Sequence, residues 1–112
     1  MHYISEIEVV ELQQMLSDAT SEVQLVDIRG PDETAEGMIP GAENLPLHLI
    51  PEQLPRLIKD KTIVIYCGIG ASSPQACAYL ESQGYRKIAV LRGGFLAWSA
   101  SGLPVSKHIK YA

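Results

Sequence analysis

Basic clusters, long apolar runs and cysteines are all scarce in this chain of 112 residues, and each scarcity excludes a class of function. Nine Lys and Arg stand against thirteen Asp and Glu, a formal net charge of −4, and no basic patch forms along the sequence. A nucleic-acid-binding surface is not expected. No apolar stretch approaches the roughly 18–20 residues that cross a bilayer, so no membrane span is expected. Met1-His2-Tyr3-Ile4-Ser5-Glu6 lacks a positive segment leading into a long apolar run and does not read as a signal peptide. With two cysteines, no export signal and 46% hydrophobic residues to build a core, a structural disulfide is unnecessary. The expectation is a reduced, cytoplasmic protein. His2, His48 and His108 are isolated and share no metal-ligand spacing with Cys67, so neither a metal nor an organic cofactor is expected.

The length suits one domain over residues 1–112, packed from about 5 to 105 and followed by a tail over 106–112. Ser5-Glu6-Ile7-Glu8 reads as a capping box with Ser5 at the N-cap, and Ile4 and Val9 are spaced for a hydrophobic staple. Val9, Leu12, Leu16 and Ala19 continue the helix to about Asp18. Apolar runs predict strands over 22–28, 43–45, 62–66 and 87–91. A helical turn is expected within 32–37 and a short helix over 51–58. A longer helix opens at Ser73-Pro74, carries Ala76, Cys77 and Leu80 inward, and ends at Gly84. A last short helix bears Phe95 and Trp98. Strands alternating with helices imply parallel pairing with right-handed crossovers, hence a three-layer α/β fold whose ligands meet the carboxyl ends of the strands. Three polar turns converge at that edge: Asp27 to Arg29, Cys67 to Ser73, and Arg92 to Gly94.

Cys67 concentrates the chemistry. The strand Thr62-Ile63-Val64-Ile65-Tyr66 runs directly into it, Gly68-Ile69-Gly70-Ala71-Ser72-Ser73 follows, and Pro74 opens a helix. Such a layout sets a sulfur at the sheet edge and aims backbone N–H groups and a helix N-terminus at it. These conditions favour thiolate over thiol, and the thiolate is the nucleophile. The bland alternative is a small buried hydrophobe at a strand end. Gly68 and Gly70 permit a tight turn and close approach to a ligand. Ser72 and Ser73 read as helix N-caps, with the Ser72 hydroxyl also able to donate to a bound ligand. Cys77 falls on the apolar stripe and reads as core, against a weaker reading as a resolving thiol. Asp27 and Arg29 form either a structural ion pair or a ligand contact, Arg92 could supply a cation to the loop, and the acidic run Asp32, Glu33, Glu36 reads as a solvated face.

Taken together, the chain resembles the single-domain rhodanese-like (sulfurtransferase) family. The residues that carry the resemblance are Val26-Asp27-Ile28-Arg29 with Pro31-Asp32-Glu33, Glu36 to Ala42 with Asn44-Leu45-Pro46, and Ile63 to Cys67 with Gly70 and Ser73. Leu80 to Tyr85, Leu91 with Gly93-Gly94, Ala97-Trp98, and Gly102 to Val105 complete it. The resemblance implies a central parallel sheet of about five strands flanked by helices, with the family's persulfide-forming cysteine at Cys67. It also implies a sulfurtransferase or sulfur carrier that takes sulfane sulfur from polysulfide, persulfides or thiosulfate and hands it to a thiol or a sulfur-relay protein. Three positions depart from the family pattern. Met38 stands where histidine is common, and Gly68 and Ser72 stand where active relatives commonly carry arginine. One charge-assisted hydrogen bond is worth about 1.5–3 kcal/mol, or about ten- to over a hundredfold in affinity, so thiosulfate is expected to be a poor donor. A cysteine phosphatase would need arginine six residues after the cysteine, where Ser73 stands. The competing reading is a rhodanese-like interaction or regulatory module whose cysteine is not turned over.

Overall fold

The computed structural model describes residues 5–69 and 72–106. Strands β1 (Ser5–Ile7), β2 (Val23–Asp27), β3 (Glu43–Asn44), β4 (Thr62–Tyr66) and β5 (Ile88–Leu91) form a parallel sheet in the order β1-β5-β4-β2-β3. The helices are α1 (Val9–Ser17), α2 (Pro31–Thr34), α3 (Ser73–Ser82) and α4 (Gly94–Ala100), with short 3-10 turns at Leu47–Leu49 and Leu54–Arg56. The fold is the expected α/β architecture.

Side-chain alternation along the strands explains the layers. In β4 and just beyond, Ile63, Ile65 and Cys67 pack on one face with Ala76, Cys77 and Leu80 of α3. Val64 and Tyr66 pack on the other with Leu12 of α1 and Trp98 of α4. In β2, Val26 joins the first face and Leu25 the second. With both faces covered, the strands are apolar nearly throughout, as a parallel sheet requires. Burial of each such side chain contributes about 1.5–3 kcal/mol. Cys67 extends the odd-numbered series, so its thiol lies on the α3 side of the sheet.

Four boundaries differ from the sequence reading. Ser5–Ile7 is an edge strand, paired residue by residue with Ala89–Leu91, and α1 begins one turn later with Glu8 at the N-cap. The Glu8 N–H donates to Glu11 Oε1 at 3.1 Å, so the capping pattern is real but shifted by three residues. Sheet pairing outweighed a local cap signal at Ser5; the partner of the proposed staple, Ile4, lies outside the described residues. Between 51 and 58 there is no α-helix but a 3-10 turn with Pro55 at its start, because a proline inside the segment breaks the α hydrogen-bond ladder. α3 is capped at Ser72 rather than Ser73, placing Pro74 in its first turn. Ser106 is not tail: it pairs antiparallel with Met38, donating to the Met38 carbonyl at 2.9 Å and accepting from the Met38 N–H at 2.8 Å. The rest of the tail, 107–112, lies outside the described residues.

If Glu11 rather than Ser5 governs the start of α1, Glu11→Ala should lower unfolding free energy by about 0.5–1 kcal/mol. Ser5→Ala should stay within about 0.5 kcal/mol of wild type. Urea titration of the two variants separates the assignments, and a larger loss at Ser5 would refute this one.

Candidate active site

The strand order creates a switch point. After β2 the chain moves outward to β3; after β4 it moves the other way, through α3 to β5. A crevice opens where the two excursions part, at the carboxyl ends of the strands. Here it is a cavity of about 330 Å³ lined by Ile28, Arg29, Gly30 and Glu33 after β2, by Leu47, and by Cys67, Gly68, Ile69 and Ser72 after β4. Cys67 is only 7% exposed, so its sulfur is reached through this cavity rather than from open solvent.

The Cys67 loop is held from behind by α4. The Phe95 N–H donates to the Cys67 carbonyl at 2.8 Å and the Leu96 N–H to the Gly68 carbonyl at 2.9 Å. Two loop acceptors are thereby committed to a helix N-terminus, where unpaired N–H groups need partners. The approach is close enough that a Cβ at Gly94 would collide with the Cys67 and Gly68 carbonyl oxygens, and Gly94 has φ +60°. The Gly93-Gly94 pair, read from sequence as a turn, is what lets α4 grip the loop.

The charges are arranged economically. Arg29 donates from Nε to both Asp27 oxygens at 3.1 and 3.2 Å and from Nη2 to Oδ2 at 2.9 Å. Nη2 also donates to the Gly37 carbonyl, and the guanidinium lies 4.2 Å from the Phe95 ring centroid. Burial disfavours the Arg29 charge, but the Asp27 hydrogen bonds and charge outweigh it and hold the guanidinium firmly protonated. Asp27 is fully buried. The two residues are thus an ion pair, and Arg29 also borders the cavity. Beside them, burial first and then the Asp27 charge raise the Tyr66 phenol, which stays protonated and accepts the Ile39 N–H at 3.0 Å.

Arg92 lies elsewhere. It borders a second concavity of about 220 Å³ with Glu6, Ile69, Pro74 and Gly93, and it pairs with Glu8 at 3.3 Å. Ile69, 68% exposed, forms the ridge between the two hollows. Ser72 borders the Cys67 cavity, whereas Ser73 is fully buried and its Oγ finds no hydrogen-bond partner among the described residues. Gly70 and Ala71 lie outside the described residues. Ile28, Gly30, Glu33 and Leu47 were not singled out as site residues from the sequence, and Glu33 was read as part of a solvated acidic face. The available signal was topological: Pro31 starts a helical turn directly after β2, and its first residues must therefore stand at the same sheet edge as Cys67.

Cys67 and Cys77 are not joined in a disulfide. Cys77 is fully buried within the α3 packing layer. Burial, with the nearby Glu81 carboxylate, pushes its thiol up to about 12. A thiol held neutral in this way is a poor nucleophile. Among the described residues, no cluster of His, Cys, Asp or Glu could hold a metal ion.

A single α/β domain with a thiol at its switch point, gripped through its own loop carbonyls, is a recognisable class of protein. The chain belongs to the rhodanese-like domain family, whose model matches residues 8–101. It is 53% identical to a sulfurtransferase of Allochromatium vinosum over 91% of this chain and 94% of that one. It is 39% identical to the putative sulfurtransferase YtwF of Bacillus subtilis, over 90% and 96%. Among solved structures, a rhodanese-like domain protein from Staphylococcus aureus superposes with a TM-score of 0.83 at 34% identity, covering 95% of this chain and 100% of that one.

The state of Cys77 has a measurable consequence. Its folded pKa lies above its unfolded value, so the native state keeps a proton that the unfolded chain releases, and stability falls as pH rises from about 9 toward 12. Relative to Cys77→Ala, wild type should lose up to about 1.4 kcal/mol per pH unit in that window. Parallel stability–pH curves for the two proteins would refute the assignment.

Proposed function

We propose that this chain transfers sulfane sulfur through a persulfide on Cys67. The observation that carries the reading is the placement of Cys67: at the carboxyl end of β4, in the wall of the switch-point cavity, at the head of the loop leading into α3. The Cys67 thiolate attacks the outer sulfur of a donor RS–SH. A new S–S bond forms, the donor S–S bond breaks, and RS⁻ leaves with the electron pair. An acceptor thiolate, small or on a relay protein, then attacks the outer sulfur of the Cys67 persulfide and regenerates the Cys67 thiolate. No net oxidation occurs and no cofactor is needed. Loop amides over 68–73 and the N-terminus of α3 would stabilise the thiolate and the persulfide anion. A reducing compartment such as the cytoplasm keeps Cys67 available for this cycle.

Thiosulfate fits the cavity poorly. Among the described residues the one cation on its lining, Arg29, is already neutralised by Asp27, and Gly68 and Ser72 add none. This same scarcity of free positive charge is what favours the second reading, an interaction module with an idle cysteine.

Two experiments test the proposal. Incubated with polysulfide or glutathione persulfide, the wild-type protein should gain one or more sulfur atoms on Cys67 by intact mass and lose them to cyanide or dithiothreitol. Cys67→Ser should do neither while remaining folded. Sulfur located only on Cys77, or none from any donor, would leave the interaction module standing. Separately, Ser72→Arg should tighten apparent thiosulfate affinity by about ten- to a hundredfold, the factor expected from one charge-assisted hydrogen bond. Unchanged affinity in a folded variant would show that charge is not what limits thiosulfate.

A further inference from the structure

We propose that Glu33 makes the Cys67 cavity selective for a sulfur donor bearing an ammonium group near its sulfane sulfur, a low-molecular-weight aminothiol persulfide of the cysteine type, and against anionic donors. The inference rests on the persulfide reading above and specifies its substrate class. Glu33 stands in the first turn of α2, fixed at the sheet edge by Gly30-Pro31, and lines the same cavity as Cys67. Its Oε2 would lie 3.7 Å from a Cβ at Gly68, so the carboxylate stands over the residue that follows the nucleophile. Among the described residues no hydrogen bond or salt bridge holds the Glu33 side chain, though its charge acts on the Arg29 guanidinium and favours its protonated form. The positive charge in the cavity, Arg29, is matched by Asp27 at 2.9 Å, and the remaining positions of the Cys67 loop through Ser73 are Gly, Ile, Ala and Ser. With one cation facing the Asp27 and Glu33 carboxylates, the net charge beside the nucleophile is negative.

Size agrees with this. A cavity of about 330 Å³ falls at the lower end of small-molecule sites, which admits an organic carrier rather than only a compact inorganic anion. Its apolar wall, Ile28, Leu47 and Ile69, suits the carbon chain of such a donor. In cysteine persulfide the ammonium sits on the carbon next to the one bearing sulfur. With the outer sulfur at Cys67, it can face a carboxylate standing over Gly68. Transfer leaves free cysteine: the Cys67 thiolate takes the outer sulfur with its proton, and the cysteine thiolate departs with the electron pair.

The test compares loading rates of Cys67, read by intact mass, for wild type and Glu33→Gln. The donors are cysteine persulfide, N-acetylcysteine persulfide and thiosulfate. The acetylated donor keeps the carboxylate and sulfur but lacks the ammonium. Wild type should load from cysteine persulfide about two- to fivefold faster than from the acetylated form, the range of a solvent-exposed ion pair. Glu33→Gln should erase that preference and raise loading from thiosulfate by a similar factor. Added salt should narrow the wild-type preference in the same direction, a check that needs no variant. Equal rates with the two cysteine donors, or a variant that slows all donors alike, would overturn the role of Glu33 while leaving the Cys67 persulfide intact. A wild type inert toward every donor would overturn both readings.

Discussion

The buried pair of Asp27 and Arg29 is the joint on which the site depends. Asp27 closes β2 on the face opposite Cys67, directly beside Tyr66 in the register. Its carboxylate accepts the Arg29 backbone N–H at 2.9 Å and the Arg29 side chain, while Asn44 donates to the Asp27 and Arg29 carbonyls at 3.0 and 2.9 Å. Arg29 then reaches the Gly37 carbonyl and stacks on Phe95. The guanidinium thus ties the end of β2 to the segment before Ile39 and to α4, and the Asn44 amide ties the same strand end to β3. The net worth of such a pair is small, because desolvating two charges nearly cancels their attraction. Removing one partner is another matter, since an uncompensated buried charge costs about 3–5 kcal/mol. The pair's value is therefore positional.

Cys67 is held by an independent device. α4 follows β5, yet its first amides serve the carbonyls of a loop that follows β4. The helix satisfies its own orphan donors by fixing the Cys67 loop, so one set of hydrogen bonds does two jobs. Arg29 touches the same helix through Phe95, which couples the two sides of the cavity: the wall from β2 and the wall from β4 both rest on the start of α4.

Much of this was legible in the sequence. The run from Thr62 to Tyr66 gave its strand to the residue, Ala76, Cys77 and Leu80 marked the inward stripe of α3, and the strand–loop–helix layout marked Cys67. Local signals failed where partners distant in sequence decide the outcome. Ser5 looks like a cap and becomes a strand because β5 offers an unpaired edge. Ser106 joins the framework through Met38, a pairing that no local pattern encodes. Glu33 is exposed, as the acidic run predicts, but exposure does not say which hollow it faces. Only the divergence of the chain after β2 and β4 brings it to Cys67.

Geometry and charge therefore carry separate information in this chain. The sheet order, the gripped loop, the two glycines at 93 and 94 and the buried Asp27–Arg29 pair follow from packing and hydrogen bonding, and they would hold a thiol in place whatever exposed charges surrounded it. The charges decide what that thiol can meet. Exposed charges are freer to vary: Gly68 is half-buried and Ser72 exposed, and a Cβ at Gly68 would meet only side-chain ends, of Glu33 and Arg29, at 3.7 and 4.0 Å. A scaffold constrained this tightly by the Asp27–Arg29 pair and the gripped loop, with exposed positions at Glu33 and Ser72 on the same cavity, allows what its thiol meets to change without cost to the scaffold that holds it.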